Sequence, residues 1–149
     1  MIELAYDPAS HLLACIASGV RSTAENERLL AAIDELDRGG RADRHPVGFL
    51  LELANGSSPP DAHWRRRFAE QRQAMKAPRV FTAIVTTSTL LRGVLTAMNW
   101  ISPPPVHVKS VHHATREEAE AWLELVQGTR IAIIRRLFAR LSLPHARAR

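Results

Sequence analysis

Two strand-length runs constrain this chain more than any other feature. Pro46–Ala54 (PVGFLLELA) and Val80–Thr86 (VFTAIVT) are almost wholly apolar, and each leads through a short turn into a segment with helical spacing. A strand with one wet face alternates apolar and polar residues, whereas a strand covered on both faces reads as a continuous apolar run. Buried strands separated by helices demand parallel pairing, since the helix returns the chain to the edge where the next strand begins.

The other elements fall into place around these two. Residues 2–6 (IELAY) and 11–18 are strand-like, and the turn Asp7–Ser10 joins them as a hairpin. Ser22-Thr23-Ala24-Glu25 has the form of a capping box. Leu29, Leu30, Ile33 and Leu36 then recur at helical spacing, and Gly39-Gly40 is expected to end this helix before a polar loop over 41–45. A second helix over 61–77 carries Trp64, Phe68, Gln71 and Met75 inward, with Pro78 as its stop. Thr87 or Ser88 caps a third helix, with Leu91, Val94, Leu95 and Met98 inside and Ser102-Pro103-Pro104-Pro105 at its end. A fifth strand spans 106–112. Thr115-Arg116-Glu117-Glu118 reads as a second capping box, opening a helix whose stripe is Ala119, Trp122, Leu123 and Val126. Gly128 interrupts, and a last helix covers 129–141. The expected fold is α/β: a single five-stranded mixed sheet, an opening β-hairpin followed by βαβ units, flanked by helices. Residues 1–126 form this domain, and 127–149 add a basic amphipathic helix and a frayed tail.

That order of elements resembles the STAS-like superfamily, which includes the SpoIIAA-like anti-sigma-factor antagonists. Local words agree: a strand beginning Arg79-Val80-Phe81, a hydroxyl-rich turn into a helix, then Thr115-Arg116-Glu117-Glu118-Ala119-Glu120-Ala121-Trp122-Leu123 after the last strand. The resemblance covers about residues 1–126. It implies a SpoIIAA-like fold and a non-enzymatic regulatory role exercised through protein contact. Relatives with lipid pockets imply an alternative, a crevice for an anionic or amphiphilic small molecule. Antagonists of the superfamily carry a phosphorylatable serine at the start of the helix after the third strand. Ser57 and Ser58 hold that place here, in the loop Asn55-Gly56-Ser57-Ser58-Pro59-Pro60-Asp61, which lacks the Asp-Ser-Gly pattern. Ser58 also has a simpler use, as the N-cap of the following helix.

Charge is unevenly spread. Residues 1–124 hold 14 basic and 15 acidic side chains, while 125–149 hold six arginines and no acid. A nucleic-acid-binding domain spreads its basic residues over a folded face, so a near-neutral body with a basic tail argues against nucleic acid. In the last helix Ile131, Ile134, Leu137, Phe138 and Leu141 form an apolar stripe, with Arg135 among the flanking arginines. Large apolar side chains in a row need a cover. The expected covers are the chain's own domain or a sister copy, with an anionic membrane surface as a further alternative.

The most chemically suggestive cluster is Thr86, Thr87, Ser88, Thr89 and Arg92, where a parallel strand meets a helix N-terminus. Ligands of open α/β sheets gather at that edge, and helix amides there favour an anion. The bland alternative is that one hydroxyl caps the helix, the others satisfy loop amides and Arg92 is solvated. No GxSxG, GxxxxGK[ST] or GxGxxG motif occurs, and no spacing recommends an acid–base pair. Adjacent His112 and His113 point to opposite faces of a strand, so they do not chelate together. Cys15 sits in a strand as a small hydrophobe. Trp64 and Trp122 lie on helix stripes as core, and Trp100 lines a ligand mouth or packs under the triproline. No metal, no cofactor and no enzymatic activity are expected, although an enzyme with a site at the sheet edge is a further alternative. With no apolar run of membrane-spanning length and no signal-like start, a cytoplasmic location is the default expectation.

Overall fold

The computed structural model describes residues 1–54 and 56–146, with side chains as far as Leu141; Asn55 and residues 147–149, with Arg147 and Arg149, lie outside the described residues. The strands are β1 (Ile2–Asp7), β2 (Leu12–Ala17), β3 (Val47–Leu53), β4 (Val80–Val85) and β5 (Val108–His113). The helices are α1 (Thr23–Asp43), α2 (Ala62–Ala74), α3 (Thr89–Ile101), α4 (Arg116–Val126) and α5 (Ile131–Ala146). The strands form one mixed sheet in the order β1-β2-β3-β4-β5, with β1 antiparallel to β2 and the rest parallel. The α/β class and the sheet expected from the sequence are both present.

This order has a direct consequence. Three crossovers, each advancing one strand in the same direction and each right-handed, place α1, α2 and α3 on one face of the sheet. The first face accordingly carries Leu13, Cys15, Phe49 and Val80 against Leu29 and Leu36 of α1. The opposite face receives no crossover helix and must be covered by chain beyond β5. It carries Leu12, Leu50, Phe81 and Ala83, packed against Leu123 of α4 and Ile134 and Phe138 of α5. The last helix therefore closes the second layer of the core. Ile134 is fully buried, and Leu137, Phe138 and Leu141 are nearly so. Of the covers expected for this stripe, the structure shows the chain's own sheet, with Ile131 half-buried at the start of the helix. Arg135 donates from Nε to Glu120 Oε2 at 2.8 Å, keeping that buried carboxylate paired.

The turn between α4 and α5 is fixed to the far side of the molecule. Gly128, at φ +99°, reverses the chain in a conformation that L side chains rarely adopt. Gln127 beside it donates from Nε2 to the carbonyls of Ser10 (3.1 Å) and Pro46 (3.2 Å), and Thr129 Oγ1 donates to Ser10 O at 3.2 Å. The hairpin turn and the start of β3 thus set where α5 begins.

Two sequence expectations are overturned. The first helix does not end at Gly39-Gly40 but continues to Asp43, with Arg44 left-handed at φ 51° as its cap. Gly40 is there for close approach: a Cβ would overlap Val47 Cγ1 and lie 3.0 Å from His45 O. Nor does Ser58 cap α2. Asp61 does, its Oδ1 accepting from Trp64 N at 3.0 Å. Pro59 and Pro60 set Ser58 too far back to reach the first-turn amides. The Ser22 capping box is complete in both directions, at 3.1 and 3.0 Å. At α4, Thr115 Oγ1 accepts from Glu118 N at 3.2 Å, but Glu118 reaches one residue further back, to Ala114 N.

Candidate functional site

At the carboxyl edge, the cluster expected from the sequence satisfies itself. Ser88 caps α3, its Oγ accepting from Leu91 N at 3.2 Å. Thr86 is buried and its Oγ1 accepts from Ser88 N at 3.1 Å. The Arg92 guanidinium folds back to donate to Thr86 O at 3.3 Å. Thr86 and Thr87 face an open cleft shared with Glu52, Thr115, Arg116 and Glu117, while Ser88, Thr89 and Arg92 do not line it. Among the described residues the one cation lining that cleft is paired: Arg116 Nη2 donates to Glu52 Oε2 at 2.6 Å, and its guanidinium lies 4.1 Å over the Phe138 ring. The five residues therefore do not converge on an anion. Ser57 ties the loop down, its Oγ donating to Ala54 O (2.7 Å) and Ala17 O (2.9 Å). Ser58 is held through its backbone, N–H to Gly19 O at 3.1 Å.

A more apolar and more enclosed feature lies beneath α2 and α3, on the first face of the sheet. A cavity of about 170 Å³ separates these helices from β3, β4 and β5. Its roof is Phe68 of α2 and Met75 just after it, with Leu91, Val94, Leu95 and Met98 of α3, and its floor includes Val80, Ile84 and Val108. Ser58 and Pro59 border it at the carboxyl edge. Among the described residues no acid, histidine or cysteine lines it. Of α3, only Leu91 is buried. The helix stands off the sheet, and its far end is exposed: Trp100 is 81% and Ile101 85% accessible. Trp100 therefore neither packs under the triproline nor lines the cavity.

Besides Ser58 and Gln71, whose Nε2 donates to Leu30 O and Asp34 Oδ1, four polar side chains interrupt the apolar wall to different degrees. Thr82 and Ser110 are register partners on β4 and β5, in a row that continues Leu13–Phe49 across the sheet. Both line the cavity, and neither hydroxyl has a hydrogen-bond partner among the described residues. Arg72 of α2 lines it too, donating to Asn99 Oδ1 (2.5 Å) of α3 and to Ser102 O (2.6 Å) just after that helix. Arg21 lies in the wall after β2, its Nε bonded to Asn26 Oδ1 at 3.0 Å. Among the described residues neither arginine has a carboxylate within ion-pair distance. Burial pulls both guanidinium pKa values below the usual arginine value.

Sequence reasoning placed the roof residues on inward stripes but not their distance from the sheet. Helical spacing reports direction and says nothing of distance to the sheet. One signal was available: α3 (TLLRGVLTAMNWI) is apolar around most of its circumference, more than a helix with one buried stripe requires.

A second cluster, at the opposite edge, also escaped the sequence. His11, left-handed at φ 52° and buried, places Nε2 3.1 Å from Asp43 Oδ2 and stacks on His45 with ring centroids 4.6 Å apart. It ties the hairpin turn to the last turn of α1. Among the described residues, no three histidine, cysteine or acidic side chains are placed to hold a metal ion. No helix among them is long and apolar enough to cross a membrane. No family model, no curated protein and no solved structure matches this chain.

Proposed function

We propose that this chain is a non-enzymatic ligand-binding module, of the STAS-like type its sequence resembles, that takes a small apolar or amphiphilic molecule under α3. The observation that carries this reading is the 170 Å³ cavity roofed by a helix with a single buried residue. Protein interiors are close-packed, and side chains that line an unfilled space forfeit the contacts a filled core would make. A ligand restores those contacts. The space slightly exceeds the ~150 Å³ of engineered apolar cavities that take up benzene, which sets the ligand at one aromatic ring or a short alkyl chain. The apolar character of the described wall favours binding over turnover.

A regulatory role fits the same geometry. The exposed apolar end of α3, at Trp100 and Ile101, supports a protein contact there, and filling the cavity would fix the helix that presents it.

A thermal-shift screen of short fatty acids, alcohols and simple aromatics tests the reading. At a hundredfold excess over Kd, a ligand selective for the folded state would raise Tm by about 5–10 °C. Ile84→Phe, which fills the floor, is expected to abolish that rise while the protein remains folded. No stabilising ligand in the screen, or an undiminished shift in Ile84→Phe, contradicts the cavity as the site.

A further inference from the structure

The polar groups of the cavity wall define the ligand more narrowly. We infer that the site takes a small monocarboxylate, whose head is held by the Thr82 and Ser110 hydroxyls and charge-balanced by Arg72, with its apolar body under α3. This rests on the cavity being the binding site.

The hydroxyls are the first support. A hydroxyl shut off from water normally finds a partner, and these two half-buried ones keep access only to the cavity space, so a ligand that fills it must supply their partner. Thr82 and Ser110 find none, although each lines the cavity. They are direct neighbours across the β4–β5 ladder, and adjacent strands lie about 4.8 Å apart. Two hydroxyls at that spacing can donate to the two oxygens of one carboxylate, or both to one oxygen. An apolar ligand alone would leave both donors unsatisfied.

The second support is the missing counter-charge. Arg72 is half-buried in the same wall, and its contacts on and just after α3 are an amide and a carbonyl oxygen, both neutral acceptors. Its Nε is shut off from solvent without a hydrogen bond. A guanidinium held by neutral acceptors in apolar surroundings keeps an unbalanced positive charge, which a carboxylate bound nearby would offset. The lowering of its pKa by burial is the same imbalance seen from the proton's side. No acidic side chain lines the described wall to do this instead. A ligand amine would meet Arg72 with like charge, and a neutral alcohol would leave it unbalanced.

Calorimetric titration with octanoate and phenylacetate, against octanol and phenylethanol, tests the assignment. The acids are expected to bind at least about tenfold more tightly than the matching alcohols. Thr82→Val combined with Ser110→Ala removes both hydroxyls and breaks no hydrogen bond present in the structure, so the fold is kept. This double variant is expected to lose the preference for acids while binding the alcohols as before. Arg92→Gln, outside the cavity, is expected to change neither. Equal binding of acids and alcohols by the wild-type protein would overturn the carboxylate and leave the cavity reading standing. Binding of neither class would remove the cavity reading itself. A preference that survives the double variant but is lost in Arg21→Gln would overturn the anchor, placing the head at the other end.

Discussion

At the residue scale, the clearest consequence concerns His113. Its ring lies against Trp122, centroids 5.5 Å apart, and its Nε2 is buried without a partner. Burial holds its pKa below the usual histidine value, opposed by Glu118. His112 is lowered too, by burial first, then by Arg92 and His113. For a base with a depressed folded pKa, stability is fully present above the unfolded pKa, near 6.5, and is lost as pH falls through the folded value. Tm is therefore expected to fall as pH drops from 7 toward 5, ahead of carboxylate titration. His112→Asn with His113→Asn is expected to flatten that slope, and an equally steep slope in the double variant would contradict it. Some residues were fully legible in the sequence. Cys15 reads as a small hydrophobe within a strand, and it is buried, its thiol pushed up to about 12 by that burial. Ser22 reads as a cap with Glu25 three residues on, and both bonds form. Local chemistry of this kind needs no information beyond a few neighbours. Arg92 was not legible, because whether a guanidinium faces a ligand or its own loop depends on a carbonyl, Thr86 O, that no spacing locates.

At the element scale, glycine in a helix has two meanings that sequence cannot separate. Gly39-Gly40 looks like a C-cap signal, yet Gly40 lies in the last turns of α1 because Val47, His45 and Ala77 approach it closely. Gly40→Ala tests this. Exposed helix interiors gain up to about 1 kcal/mol from such a change, whereas overpacking a close contact costs about 1–3 kcal/mol. A net loss of stability in urea unfolding is expected, and a gain would show that the approach is not tight. The same ambiguity hid the standoff of α3. Its stripe of Leu91, Val94, Leu95 and Met98 would look identical on a close-packed helix, and the two hydroxyls beneath it come from the strands on either side of α3, whose pairing the helix spacing does not report. Helix α5 was half legible. Its stripe plainly required a cover, but the choice between a sister chain and its own sheet depends on which face the crossovers leave bare.

At the scale of the whole molecule, strand order decides that choice. Sequential right-handed crossovers bring α1, α2 and α3 to one face, and the chain must return to cover the other. Helices α4 and α5 do so as a well-filled layer, with Leu123, Ile134 and Phe138 almost inaccessible. The two faces differ in consequence: one is closed by packed helices, and the other keeps a cavity under a loosely seated one. That asymmetry is the physical basis for placing ligand binding on the first face. Methyl-resolved NMR during an octanoate titration measures it most directly. Saturable shifts are expected in the methyls of Ile84, Leu95 and Val108, with those of Ile134 and Leu137 unmoved. Unchanged cavity methyls at saturating ligand, or shifts confined to the α4–α5 face, would contradict ligand binding under α3.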